Sequence, residues 1–146
     1  HRPYHHALAG LVDQARARFG AAVLLDLPSM PPIRANGGGA PRIVIGDRFG
    51  RSASARLTAR AVAEAQAAGF PTAINSPYAG GHILERHAAP GRGVHAIQVE
   101  IDRSLYLAPG LSDPGEGLPR VADFIAQLTA ALADEVLGRP TAIAAE

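Results

Sequence analysis

The stretch "HAIQVEIDRSLYL", residues 95–107, sets a carboxylate into an otherwise apolar run. Strand alternation places Ile97, Val99 and Ile101 on one face and Val94, Ala96, Gln98 and Glu100 on the other. A carboxylate near the end of such a strand can act as a general base, its pKa set by partial burial and by its neighbours. The same residue also fits a partly exposed Glu paired with Arg103 or Arg92. A second group lies in "NSPYAGGH", residues 75–82. Asn75 offers an amide, and Gly80-Gly81 let backbone approach a ligand closely. These residue types equally make up ordinary turns.

Six histidines raise the question of a metal. His5 and His6 are adjacent and point apart on a helix, and His1, which has the i,i+4 spacing with His5, sits at the terminus. His82, His87 and His95 lie on or beside a long loop without an HExxH-like pattern. Surface or hydrogen-bonded histidines are the expectation. With no cysteine there is no thiol nucleophile, no disulfide and no thiolate site, so any metal would need His, Asp or Glu.

These groups must be positioned by a small set of elements. "PYHHALAGLVDQARARFG" puts Leu8, Leu11, Val12, Ala15 and Phe19 on one helical face, with Gly20 closing the helix. "AVLLD" follows as a short buried strand ending at Asp26, and residues 27–41, rich in Pro and Gly, read as a loop. "RIVIGD" is a second strand. A helix capped by Ser52 or Ser54 runs to about Gly69, with Leu57, Ala61, Val62, Ala65 and Ala68 inward. "PTAIN" is a third strand, and residues 75–93 form a loop too long for a mere connector. The strand 94–101 comes fourth. Pro119 suits the first turn of a last helix with Val121, Phe124, Ile125, Leu128, Leu132 and Val136 on its inner face. The order α-β-β-α-β-β-α predicts an α/β layered sheet with sites at the carboxyl ends of strands.

The 146 residues, net charge of +1 and 47% hydrophobic content fit one globular domain, and the balanced charge argues against nucleic acid or an acidic membrane surface as partner. The longest apolar run, "AAVLLDL", is strand-sized and cannot span a membrane. A cytoplasmic location is expected.

The segments "PYHHAL", "FGAAVLLDLPSMP", "IVIGDRFGRSA" and "NSPYAGGHILERHAAPGRGVHAIQVEIDRSLYL" resemble the N-formylglutamate amidohydrolase family. The last of them is long, ordered and specific. The resemblance implies a mixed sheet between helix layers, similar to zinc carboxypeptidases and acylglutamate deacylases, with one zinc at the strand ends. It also implies hydrolysis of the formyl amide of N-formyl-L-glutamate to glutamate and formate in histidine breakdown. Glu100 then matches the glutamate that activates the zinc-bound water and passes its proton to the leaving amine. Asn75, Tyr78, Gly80 and Gly81 match a loop that shapes the substrate pocket. Arg103 matches an arginine that holds a substrate carboxylate, or pairs structurally with Glu100 or Asp102. Asp26 and Ser29 match residues that steady the metal site from behind.

One departure stands out. Where the family reads Asp-x-His-Ser-Met-Pro, with that His a zinc ligand, this chain reads "DLPSMP" and places Pro28 at the ligand position. The resemblance assigns the other two ligands to the family's N-terminal portion, and it covers only the C-terminal part of the family's domain, so an N-terminal part is expected to be missing. No metal-ligating residue is therefore assigned, and the chain alone is expected to hold no zinc and to be inactive. The alternative is a metal-free relative or fragment that binds an acylated amino acid or a protein partner. Residues 1–138 form the partial domain and 139–146 a tail, with an uncovered sheet edge that invites self-association.

Overall fold

Valine and isoleucine dominate "IVIG" and "VHAIQVEID", and these β-branched runs become the inner strands of a five-stranded mixed sheet. The computed structural model describes residues 1–35 and 37–139. The tail beyond Arg139 therefore lies outside the described residues. In chain order the main elements are α1 (Arg2–Phe19), β1 (Ala22–Asp26), β2 (Ser29–Met30), β3 (Ile43–Gly46), α2 (Ala55–Ala67), β4 (Thr72–Ile74), α3 (His82–His87), β5 (Val94–Asp102) and α4 (Leu118–Val136). The sheet order is β1-β5-β3-β4, with β2 continuing beside β5 after β1 ends. β1 and β2 run parallel to β5, β3 runs antiparallel to it, and β4 runs parallel to β3.

The helices begin and end for local reasons. The Ser54 hydroxyl accepts from the Leu57 N–H at the start of α2. Gly20, at φ 83°, turns the chain out of α1 while its N–H caps the Arg16 carbonyl. α2 and α4 cover one face of the sheet, burying Leu57, Ala61, Val121, Phe124, Leu128 and Leu132 against Ile43, Ile45, Ile97, Val99 and Ile101. The stripe expected for α2 is thus largely observed, with Thr58 added to the buried set. α3 lies over the other face, where Leu84, Val44 and Ala96 are fully buried.

Five expectations are corrected. The loop expected over 27–41 contains β2, and the loop over 75–93 contains α3 and a single 3-10 turn at Pro90–Arg92. These pieces are short, so a few tertiary contacts outweigh weak local patterning. β1 is an edge strand that is mostly half-buried rather than a buried one. α1 buries none of its residues, leaving Leu11 63% and Phe19 53% exposed. Because β5 opposes β3, the carboxyl ends of β3 and β4 lie toward the opposite end of the sheet from those of β1 and β5. The segments that follow β1, β4 and β5 therefore do not all leave from one end of the sheet.

Candidate functional site

Glu100 is the seventh residue of β5 and is 8% exposed, opposite Val44 of β3. Its parity puts it on the α3 side of the sheet with Gln98 and Ala96, while Ile97, Val99 and Ile101 enter the core under α2 and α4. Gln98 Nε2 donates to Glu100 Oε1 at 2.6 Å, and Gln98 Oε1 accepts from the Gly81 N–H at 3.0 Å. Burial pushes the Glu100 carboxyl above its ordinary range, and the Asp26 carboxylate pushes the same way. The Gln98 hydrogen bond and the Arg103 guanidinium pull it back in part. Asp26, in register with Gln98, is itself raised by burial.

Glycine brings the loop to this point. Gly46 lies under the Ala79–Gly80 peptide, and a Cβ there would stand 2.7 Å from the Ala79 carbonyl carbon. Gly80 has φ 111° and packs on Leu84 and Arg48, a conformation open to glycine. The Arg48 N–H donates to the Ala79 carbonyl at 2.7 Å, which fixes the loop from the β3 side. Gly81 therefore reaches the Gln98–Glu100 pair, with Gly80 beside it and Tyr78 half-buried just before.

Asn75 does not join that group. Its Oδ1 accepts from the Asp47 N–H at 2.9 Å and its Nδ2 donates to Asp47 Oδ1 at 2.8 Å. Asp47 Oδ2 in turn accepts from Thr58 of α2 at 2.7 Å. This cluster sits at the carboxyl end of β3 on the α2 side, because Asp47 shares the parity of Ile45. Asn75 and Glu100 thus lie on opposite faces of the sheet, and the antiparallel pairing of β3 with β5 sets them toward opposite ends. Burial acts to raise the Asp47 carboxyl, but the bonds from Asn75, Thr58 and Gly50 outweigh it and hold it below the ordinary range.

Arg103 follows β5 directly, and its Nε donates to Ser29 Oγ at 3.1 Å. Asp102 is taken by Arg42, whose Nε donates to it at 2.6 Å, and by the Ser104 N–H and hydroxyl. Arg103 is thus not the partner of Asp102. Arg92 gives its carbonyl to Arg16 Nε. The structure brings Glu100, Asp26, Arg103 and Ser29 together near the end of β5, and Gly81 is linked to them through Gln98. Gln98 and Gly46 are the members that sequence reasoning passed over. Gln98 stood on the polar side of the alternation pattern, which was the available signal.

Three of the histidines are engaged in hydrogen bonds. His5 Nδ1 and His87 Nε2 lie 2.9 Å apart, joining α1 to α3, and His95 Nδ1 accepts from the Ser54 N–H. Burial and the Arg86 guanidinium push His5 and His87 down, and burial lowers His95. Zinc, which the resemblance implies, needs about three protein donors. Pro28 has no donor in its side chain, and its carbonyl accepts from the Ile101 N–H at 3.1 Å in the break between β1 and β2. Among the described residues no group of three or more His, Asp or Glu comes together to hold a metal. These residues do not fit zinc by themselves.

A mixed sheet with helices on both faces, a buried glutamate on its inner strand and a double-glycine loop against that strand define an α/β domain with a carboxylate-centred candidate site. The sequence profile of the N-formylglutamate amidohydrolase family matches residues 1–107, and the chain belongs to this family. N-formylglutamate deformylase from Pseudomonas putida is 33% identical over 112 residues, covering 73% of this chain and 41% of that protein. The deformylase from Pseudomonas aeruginosa is 33% identical over 111 residues, with 72% and 41% covered. The crystal structure of an N-formylglutamate amidohydrolase from Ralstonia eutropha superposes with a TM-score of 0.82 at 32% identity, covering 92% of this chain and 50% of that one. A gene product from Agrobacterium tumefaciens, at 23% identity and TM-score 0.65, shares the fold. The chain spans about two fifths of the length of the curated relatives it matches, 41% of each. No helix among the described residues is long and apolar enough to cross a membrane.

Proposed function

We propose that this chain carries the base-bearing part of an amidohydrolase site for N-formyl-L-glutamate, and that Glu100 is its general base. The carrying observation is the buried Glu100 carboxylate, raised by burial and held by Gln98 on a strand inside the family-matched segment. As a carboxylate it takes a proton from the attacking water, and as an acid it returns that proton to the leaving amine. Arg103, steadied by Ser29, binds a carboxylate of a small acylated amino acid. Gly81 reaches Glu100 through Gln98, Tyr78 and Gly80 belong to the same loop, and Asp26 acts on Glu100 from β1. Asn75 contributes by fixing the start of the loop through Asp47.

Water activation in a zinc carboxypeptidase-like site calls for metal donors, and the described residues of this chain do not gather them. On this reading the chain is inactive alone, a cytoplasmic family member whose described residues supply base and loop but no metal set. Pro28 favours a second reading, a non-catalytic relative that binds an acylated amino acid or a protein partner. A chimera separates the two. Residues 1–107 with Pro28→His replace the matching segment of the Pseudomonas putida deformylase, and formate release is measured. We expect release that Glu100→Gln lowers at least a hundredfold, in line with loss of a positioned base. A chimera that binds N-formyl-L-glutamate yet releases formate equally well with Glu100→Gln overturns Glu100 as base.

A further inference from the structure

Gln98 is buried, 8% exposed, and both ends of its carboxamide are engaged. Its oxygen accepts from the Gly81 backbone N–H, a group that can only donate. That bond fixes which end of the amide is oxygen, so the amino end must face Glu100 Oε1 at 2.6 Å. An amino group can only donate, so Glu100 Oε1 remains an acceptor in both protonation states. The proton, when Glu100 carries one, belongs on Oε2. The loop that sets this orientation is rigid where it matters, since Gly46 leaves room for the Ala79–Gly80 peptide and Arg48 holds the Ala79 carbonyl.

We infer that Gln98 is a positioning residue that ties the Gly80–Gly81 loop to the Glu100 carboxylate and makes Oε2 the oxygen that takes and returns the proton. This rests on reading Glu100 as the base and adds the device that aims it. Displacement of the loop by a ligand then changes the basicity of Glu100 through one amide. Asp26 and Arg103 are the other charged groups acting on Glu100, with opposite signs, and Val44 faces it from β3 without charge.

The test follows the Glu100 carboxyl by carbon NMR and the Gly81 amide by hydrogen exchange, with no substrate needed. Gln98→Met removes both hydrogen bonds, so Glu100 titrates at higher pH and Gly81 exchanges faster. Gln98→Glu keeps an acceptor for Gly81 and replaces the donor with a carboxylate. Gly81 protection then stays near the unsubstituted level while the Glu100 titration moves up. With Gln98→Met, which adds no charge, a residue that served only to fill space would leave the titration in place. In the unsubstituted chain, the Gln98 side-chain amide signal should shift with the Glu100 midpoint. A Gln98 signal that stays flat through that titration, or a Glu100 midpoint unmoved in folded variants, overturns the inference. Failure of the base reading appears separately, as formate release that survives Glu100→Gln in the chimera.

Discussion

The peptide joining Ala79 to Gly80 rests directly on Gly46, close enough that a Cβ on Gly46 would stand 2.7 Å from the Ala79 carbonyl carbon and 2.9 Å from the Gly80 nitrogen. Backbone cannot yield there as a flexible side chain could. Gly46→Ala should therefore lift the loop and cost about 1–3 kcal/mol of stability, the usual range for overpacking. Denaturant unfolding measures the cost, and Gly81 exchange measures the lift. An unchanged midpoint with unchanged Gly81 protection would contradict the tight contact.

Asp47 and Asn75 carry an acid-side prediction. Hydrogen bonds hold the Asp47 carboxyl below its ordinary value against the opposing effect of burial. A depressed folded pKa contributes stability that is present above the unfolded value, about 3.9, and is lost as pH falls through the folded one. Asn75→Ala removes the carboxamide that both donates to Asp47 and accepts from its N–H. We expect a loss of about 1.5–3 kcal/mol at neutral pH, typical for bonds to a charged group, which shrinks as pH drops below the carboxylate range. A loss that stays constant across that range would sink this account.

Glu100 has the opposite sign. Its folded pKa is raised, so its protonated form is favoured in the fold. That contribution is complete below the unfolded value, near pH 4, and disappears as pH rises through the folded one. Glu100→Gln should melt higher than the unsubstituted chain at pH 8, and the difference should close toward pH 4. A melting difference of the same size at both pH values would show that burial does not strain the carboxylate.

The inner strand, the long helices and the buried stripes of α2 and α4 were legible because 3.6-residue and 2-residue periods record which face is buried. Leu57, Phe124 and Leu128 are examples that lie where the pattern put them. Strand direction was not legible, since β3 reads the same in either orientation and only its pairing with β5 settles it. That direction decided the fate of Asn75, which meets Asp47 rather than Glu100. α3 is a six-residue helix inside a glycine-rich loop, too short for a period to show. In the site, Glu100 announced itself as a charge in an apolar run. Gln98, the residue that holds it, looked like ordinary polar alternation.

The exposed apolar stripe of α1 and the β1 edge bear on association. Leu11 and Phe19 lie open, and β1 hydrogen-bonds to β5 on one side with no other strand beside it among the described residues. Sedimentation should show concentration-dependent self-association, reduced at least severalfold by Leu11→Lys with Phe19→Lys. A monodisperse monomer with a sharp cooperative melt for the unsubstituted chain would contradict this.

The central proposal is that the described residues hold a positioned base without a metal set, and zinc content measured with formate release tests it most directly. The chain is incubated with zinc, dialysed and analysed for metal, then assayed with N-formyl-L-glutamate. Pro28 offers no donor, and the described residues gather no group of three. The account predicts well under one zinc per chain and no formate release, for the unsubstituted chain and for Pro28→His alike. About one zinc per chain, with formate release that Glu100→Gln abolishes, would contradict it and show a complete enzyme in these 146 residues.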